Sequence, residues 1–142
     1  MQYTPEMQLL QDPSTQLMNM LKKVKQDNTL AISRCKTAAC RTNKKRQFDK
    51  YWKPAIHRQA ILDDAMLCAS KSCRTIRKKI KTVWTQTKNN YDAHCRPMRM
   101  EKSRKKCAAE KEVNLLKLVD KHTECVKSKC AAYKAFRKTI KK

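Results

Sequence analysis

The sequence predicts an all-α fold: a compact, disulfide-crosslinked bundle of about four to five helices. Three observations carry this reading. The 142 residues contain no glycine. Tight β-hairpins and left-handed helix caps draw on glycine, whereas helices turn without it at Pro or Asn. The chain also holds eight cysteines, an even set as a disulfide framework requires. Finally, apolar residues recur at steps of three and four over long stretches, the period of one helix face.

The first helix is predicted to start at Pro13-Ser14, to carry Leu17, Leu21 and Val24, and to end at Asp27-Asn28. A second runs from about Asn28 or Thr29 towards Trp52 and is expected to stop at Pro54, because proline disfavours helix at the preceding residue. Its apolar face is thin (Ile32, Cys35, Ala38, Ala39), and Lys44-Lys45-Arg46 interrupts it. The third helix has the strongest periodicity: Leu62, Met66, Ala69, Cys73, Ile76, Ile80 and Val83 form one seam. Pro54 sits near its start, where proline is tolerated, and Lys88-Asn89-Asn90 near its end. Pro97 marks the next turn. A fourth helical region then reaches the C-terminus, with Val119, His122, Val126, Tyr133, Phe136 and Ile140 in one stripe, widened by Leu115, Leu118, Cys125 and Ala132. Lys129 falls in that stripe, where its long stem has to snorkel outward. Between Met98 and Cys107 the density of bases weakens the helical expectation.

Cys35–Cys40, Cys68–Cys73 and Cys125–Cys130 are each separated by four residues, and Cys95 and Cys107 complete the set. Within one helix, positions i and i+5 lie about 8–9 Å apart and about 140° around the axis, so each cysteine is expected to reach another helix. Two symmetry centres suggest partners. About Pro54, Cys35 mirrors Cys73 and Cys40 mirrors Cys68; about Arg99, Cys68 mirrors Cys130 and Cys73 mirrors Cys125. Cys95 and Cys107 flank the second centre and can close its turn. The favoured arrangement ties the middle helix to both neighbours, although eight cysteines allow 105 connectivities. Cys40-Arg-Thr and Cys73-Arg-Thr open similar basic segments and hint at a duplicated helix–cysteine unit. The bridges act as staples of roughly 2–4 kcal/mol each. Zinc is the rival use, with His94 beside Cys95, but a knuckle of that kind needs tight turns.

Charge dominates the composition. Lys and Arg number 35 against 12 Asp and Glu, a net +23. The length fits one domain, 1–142. Residues 1–33 balance three lysines with three acids and read as an N-terminal arm and helix on a strongly basic, crosslinked body, 34–142. A field of this size attracts polyanions and opposes folding through self-repulsion. The bases are patterned. Lys71, Arg74, Lys78 and Lys81 are three and four apart and form one face beside the apolar seam, extended by Arg77 and Lys79. Arg96, Arg99, Lys102, Arg104, Lys105 and Lys106 form a second cluster past the turn, and Lys134, Arg137, Lys138, Lys141 and Lys142 a third. Like charges at i and i+4 destabilise a helix, so their accumulation points to an anionic partner.

Catalytic chemistry finds little support. A phosphate-cradling loop needs glycine. His57, His94 and His122 are scattered, and His122 reads as a satisfied core histidine. Asp63-Asp64, the only acidic pair, diverges around a helix and reads as a helix N-terminal charge feature. No nucleophile–base–orienter set emerges, no metal or other cofactor is expected, and the chain is read as a non-enzyme.

Disulfide frameworks belong to oxidising compartments, so the chain is expected to be extracellular. Met1–Leu10 is polar and contains Pro5, which reads as a mature form with its leader removed and Met1 added. No apolar stretch has membrane-spanning length, and no Asn-x-Ser/Thr acceptor occurs. The leading expectation is a secreted protein that engages sulfated glycans such as heparin, polyphosphate or an anionic cell surface. Behind it stand an antimicrobial or membrane-active polycation and a nucleic-acid-binding protein. Disulfides would keep the apolar seams from inserting into lipid, and the 6% aromatic content lacks a patterned stacking platform. In composition and build the chain is similar to the small, basic, disulfide-bonded helical proteins of blood-feeding arthropod saliva. It also resembles the strongly basic helical bundles among invertebrate sperm proteins. The likeness is one of class, implies a secreted effector, and carries no site residues.

Overall fold

Ser14 and Thr37 begin the first two helices in the computed structural model of the chain, which describes residues 4–140. Each does so by capping: the Ser14 hydroxyl accepts from the Leu17 amide at 3.2 Å, and Thr37 from the Cys40 amide at 3.1 Å. A 3₁₀ segment, Pro5–Leu10, precedes α1, Thr15–Ser33. Then come α2, Ala38–Ser72, and α3, Arg74–Asn90, which closes with a π turn at Tyr91–Cys95. Finally α4 spans Glu101–Lys129 and α5 Ala132–Ile140. The fold is all-α, compact around its core and crosslinked by disulfides, as the missing glycine and the cysteine set predict. Among the described residues no backbone φ is positive, so every turn is made without the conformation that glycine would supply.

Several helix boundaries differ from the sequence reading: α2 starts at Ala38 instead of near Asn28, and the expected third and fourth helices are broken at Cys73 and Cys130. The first helix runs through Asp27-Asn28 to Ser33, and Pro54 lies inside α2. Pro54 is exposed, and so is Lys50, whose carbonyl loses its amide partner. An exposed acceptor is open to solvent, so the proline can be accommodated inside the helix.

The disulfides are Cys35–Cys40, Cys68–Cys130, Cys73–Cys125 and Cys95–Cys107. The pairing about Arg99 is realised. The pairing about Pro54 is not, since no hairpin turns there, so the middle helix is tied forward only. The i, i+5 spacing is handled by breaking helices. Cys73 leaves helical geometry between α2 and α3 (φ −117°, ψ 29°), and Cys130 does so between α4 and α5 (φ −116°, ψ 110°). The two rungs Cys68–Cys130 and Cys73–Cys125 thus meet one neighbouring strand of helix despite the 140° offset that an unbroken helix imposes. Cys35 lies outside any helix, which lets it bridge Cys40 directly and corrects the expectation that each cysteine reaches another helix. Because Cys40 pairs locally and Cys73 pairs with a distant helix, the two Cys-Arg-Thr segments are not equivalent units.

The predicted seam survives the break at Cys73. Met66, Ala69, Cys73 and Ile80 are buried and face Leu115, Val119, Val126, Tyr133 and Phe136. Lys129 is exposed, because the break at Cys130 turns the chain and no snorkelling is needed. The N-terminal arm packs onto this core through Leu9 and Met7, which the polar reading of its first residues had passed over. Leu9 is fully buried. By contrast, α1 packs against α2 with no buried residue, and α2 has none before Asp63. The accessible surface, 10803 Å², exceeds the roughly 7,600 Å² typical of a folded monomer of 16.7 kDa. The α1–α2 hairpin, which has no buried residue before Asp63, contributes to the excess.

Candidate polyanion-binding surface

On α3 buried Ile80, with half-buried Ile76 and Val83, fixes the inward direction. At 100° per residue, Arg74, Lys78 and Lys81 point about 110–170° away from it. The stripe therefore occupies the outward face instead of flanking the seam. Lys71 stands on the last turn of α2, just before the break at Cys73. Lys71, Arg74, Lys78, Lys81, Arg99, Lys102, Lys106, Lys134 and Lys138 are exposed and make no ion pair or side-chain hydrogen bond among the described residues. Arg96 and Lys105 are exposed too, in i, i+4 pairs with Asp92 (4.0 Å) and Glu101 (3.3 Å). Surface pairs of this kind are weak.

Three of the arginines have internal work. Arg77 donates to the Leu10 carbonyl at 2.7 Å and meets Asp12 at 3.3 Å, clamping the arm onto α3. Arg104 donates to the Met98 carbonyl at 2.8 Å and to that of Arg99 at 3.4 Å, holding the turn before α4. Arg137 is paired with Glu6 on the 3₁₀ segment. Lys141 and Lys142 lie outside the described residues.

Sequence reasoning missed one cluster. Arg34, Lys36, Arg41, Lys44, Lys45 and Arg46 are all exposed around the turn that joins α1 to α2. Between Asp27 and Asp49 there is no acid. Read as an interruption of an apolar face, Lys44-Lys45-Arg46 in fact belongs to a helix with almost no apolar face to interrupt. The signal was the acid-free interval itself.

The three histidines stand on different elements, His57 on α2, His94 in the π turn and His122 on α4. His57 and His94 are exposed. His122 is 1% exposed, and its Nε2 has no hydrogen-bond partner among the described residues, so it is a core histidine but not a satisfied one. Burial, with a smaller contribution from Arg77, lowers its pKa from 6.5 to about 4, so it is neutral at pH 7. Asp63 sits inside α2, not at a helix start, and accepts from Gln59 at 2.9 Å. All eight cysteines are in disulfides. Shallow grooves also mark the surface, among them one of about 310 Å³ between α3 and α4 over Trp84 and Leu115 and two larger ones. One, of about 770 Å³, lies between the 3₁₀ segment and α4 over Met7, Leu116 and Val119. The other, of about 490 Å³, lies between α1 and α2 over Val24, Phe48, Tyr51 and Trp52. No described helix is long and apolar enough to cross a membrane. Comparison with protein-family models, curated proteins and solved structures finds no match.

Proposed function

We propose that this protein is a secreted, non-enzymatic effector that binds anionic polymers, sulfated glycans foremost, through unpaired cations braced by disulfides. The supporting observation is the set of exposed bases on α3, the following turn, and the flanking parts of α2, α4 and α5 that make no ion pair among the described residues. Folding tolerates such repulsion at a cost, and a regular array of negative charge relieves it. Four disulfides are consistent with an oxidising, extracellular setting, where polysaccharides are the abundant polyanions. One observation favours a second reading, contact with an anionic membrane surface: Tyr51 and Trp52 are 67% and 43% exposed among Lys44, Lys50 and Lys53.

The test is a salt-resolved comparison of binding to heparin, polyphosphate, DNA and anionic vesicles. Binding to heparin at physiological ionic strength is expected, weakening steeply as salt rises. The combined change Lys71→Gln, Arg74→Gln, Lys78→Gln and Lys81→Gln should lower the salt needed to elute from heparin. Unchanged elution removes the stripe from the surface, and indifference to all four ligands sinks the reading. Vesicle leakage would favour the membrane reading, and preference for DNA a nucleic-acid partner.

A further inference from the structure

Two cationic clusters sit at opposite ends of the molecule, and the disulfides show how far apart. The turn carrying Arg34, Lys36, Arg41, Lys44, Lys45 and Arg46 is closed by Cys35–Cys40. From Cys40, α2 continues unbroken to Ser72, a rise of about 50 Å at 1.5 Å per residue. There Cys68–Cys130 and Cys73–Cys125 set α4 antiparallel to the end of α2. Going from Cys68 to Cys73 away from the hairpin tip corresponds to going from Cys130 back to Cys125. The same helix then continues from Cys125 to Cys107, about 27 Å further on, where Cys95–Cys107 closes the second turn. That turn carries Arg96, Arg99, Lys102 and Lys106, all exposed. Allowing for the break at Cys73, the two ends stand roughly 70 Å apart.

At physiological ionic strength charges are screened over about 8 Å. The ends therefore cannot act as one electrostatic surface. Each end can hold an anion of its own, although exposed Lys50, Lys53, Lys71, Arg74, Lys78 and Lys81 stand between them, and each is held in shape by a short-range disulfide. We propose that the protein bridges two anionic polysaccharide chains, one at each end. This rests on the polyanion reading above and adds a valence to it: the tip of the α1–α2 hairpin is a second binding site, separate from the body.

The experiment is a sandwich capture. Heparin oligosaccharides too short to reach both ends are immobilised, the protein is loaded sparsely, and a labelled oligosaccharide of the same length is added. The native protein should hold the second chain. The variant Lys36→Gln, Lys44→Gln, Lys45→Gln, Arg46→Gln should stay on the first surface yet lose most of the second capture. Arg96→Gln, Arg99→Gln, Lys102→Gln, Lys106→Gln should do likewise. Circular dichroism and intact mass establish that each variant is folded and fully bridged. Native protein that binds the first chain but captures no second overturns bridging and leaves the polyanion reading standing. Undiminished capture by both variants overturns the assignment of the ends. Absence of any first binding defeats the polyanion reading itself, and preferential capture of a labelled DNA oligomer overturns the glycan as partner.

Discussion

At the scale of the residue, His122 shows what burial does to one titratable group. It lies in the packed stripe of α4 with an unpartnered Nε2, and Arg77 adds a like charge that penalises protonation. The folded group stays neutral down to about pH 4, whereas an unfolded histidine protonates near 6.5. Between those values the unfolded chain binds more protons, so stability rises with pH across the window. The contribution is complete above about pH 6.5 and is lost as pH falls towards 4, on the order of 3 kcal/mol in all. Urea unfolding of the native protein and of His122→Leu should therefore show a stability difference that shifts in favour of the variant between pH 7 and pH 5. Parallel pH profiles would refute this account. The histidine's place in the stripe was visible in the sequence. Its missing partner was not, because only packing determines which polar atoms approach a buried ring.

At the scale of the element, cysteine spacing and helix breaks are one phenomenon. Cys-x4-Cys puts two cysteines on diverging helix faces, and the chain reconciles them by leaving helical geometry at Cys73 and Cys130 or by keeping Cys35 out of the helix. Sequence reading saw the divergence and the forward register about Arg99, but not the breaks. It also overrated Pro54, which lies inside α2 at an exposed position where the orphaned acceptor is open to solvent. The bridges should differ in weight. Chain entropy assigns about 2 kcal/mol to a separation of 5 and about 4 kcal/mol to one of 52. The short bridge also serves a hairpin with no buried residue. Cys35→Ser with Cys40→Ser is expected to loosen that hairpin, seen as faster amide exchange in residues 15–45, with the core's melting little changed. Cys73→Ser with Cys125→Ser should lower the core's melting temperature markedly. Equal losses from the two double variants would show that the hairpin and core unfold as one.

At the scale of the whole molecule, repulsion among 35 bases opposes a modest core. Two clusters of buried side chains and three long-range or turn-closing bridges hold it together. Screening weakens the repulsion without touching apolar burial, so the melting temperature should climb as sodium chloride is raised from about 10 to 150 mM, where the Debye length falls from about 30 to 8 Å. The climb should be steepest after partial reduction. A flat or falling profile would mean that the charges are already compensated within the fold.

Helicity, the core seam from Met66 to Val83, the stripe from Val119 to Phe136 and the cationic excess were all determined by the sequence alone, because period, composition and the lack of glycine are local properties. The tertiary structure decided which cysteines meet, which arginines are consumed in holding the arm and the turns, and where the bases stand relative to one another. Those are matters of distance between segments remote in the chain, and a one-dimensional pattern carries no such distances. The acid-free run around Lys44 was in plain sight as charge, yet only the course of α2 set it at the far end of the molecule from Arg99.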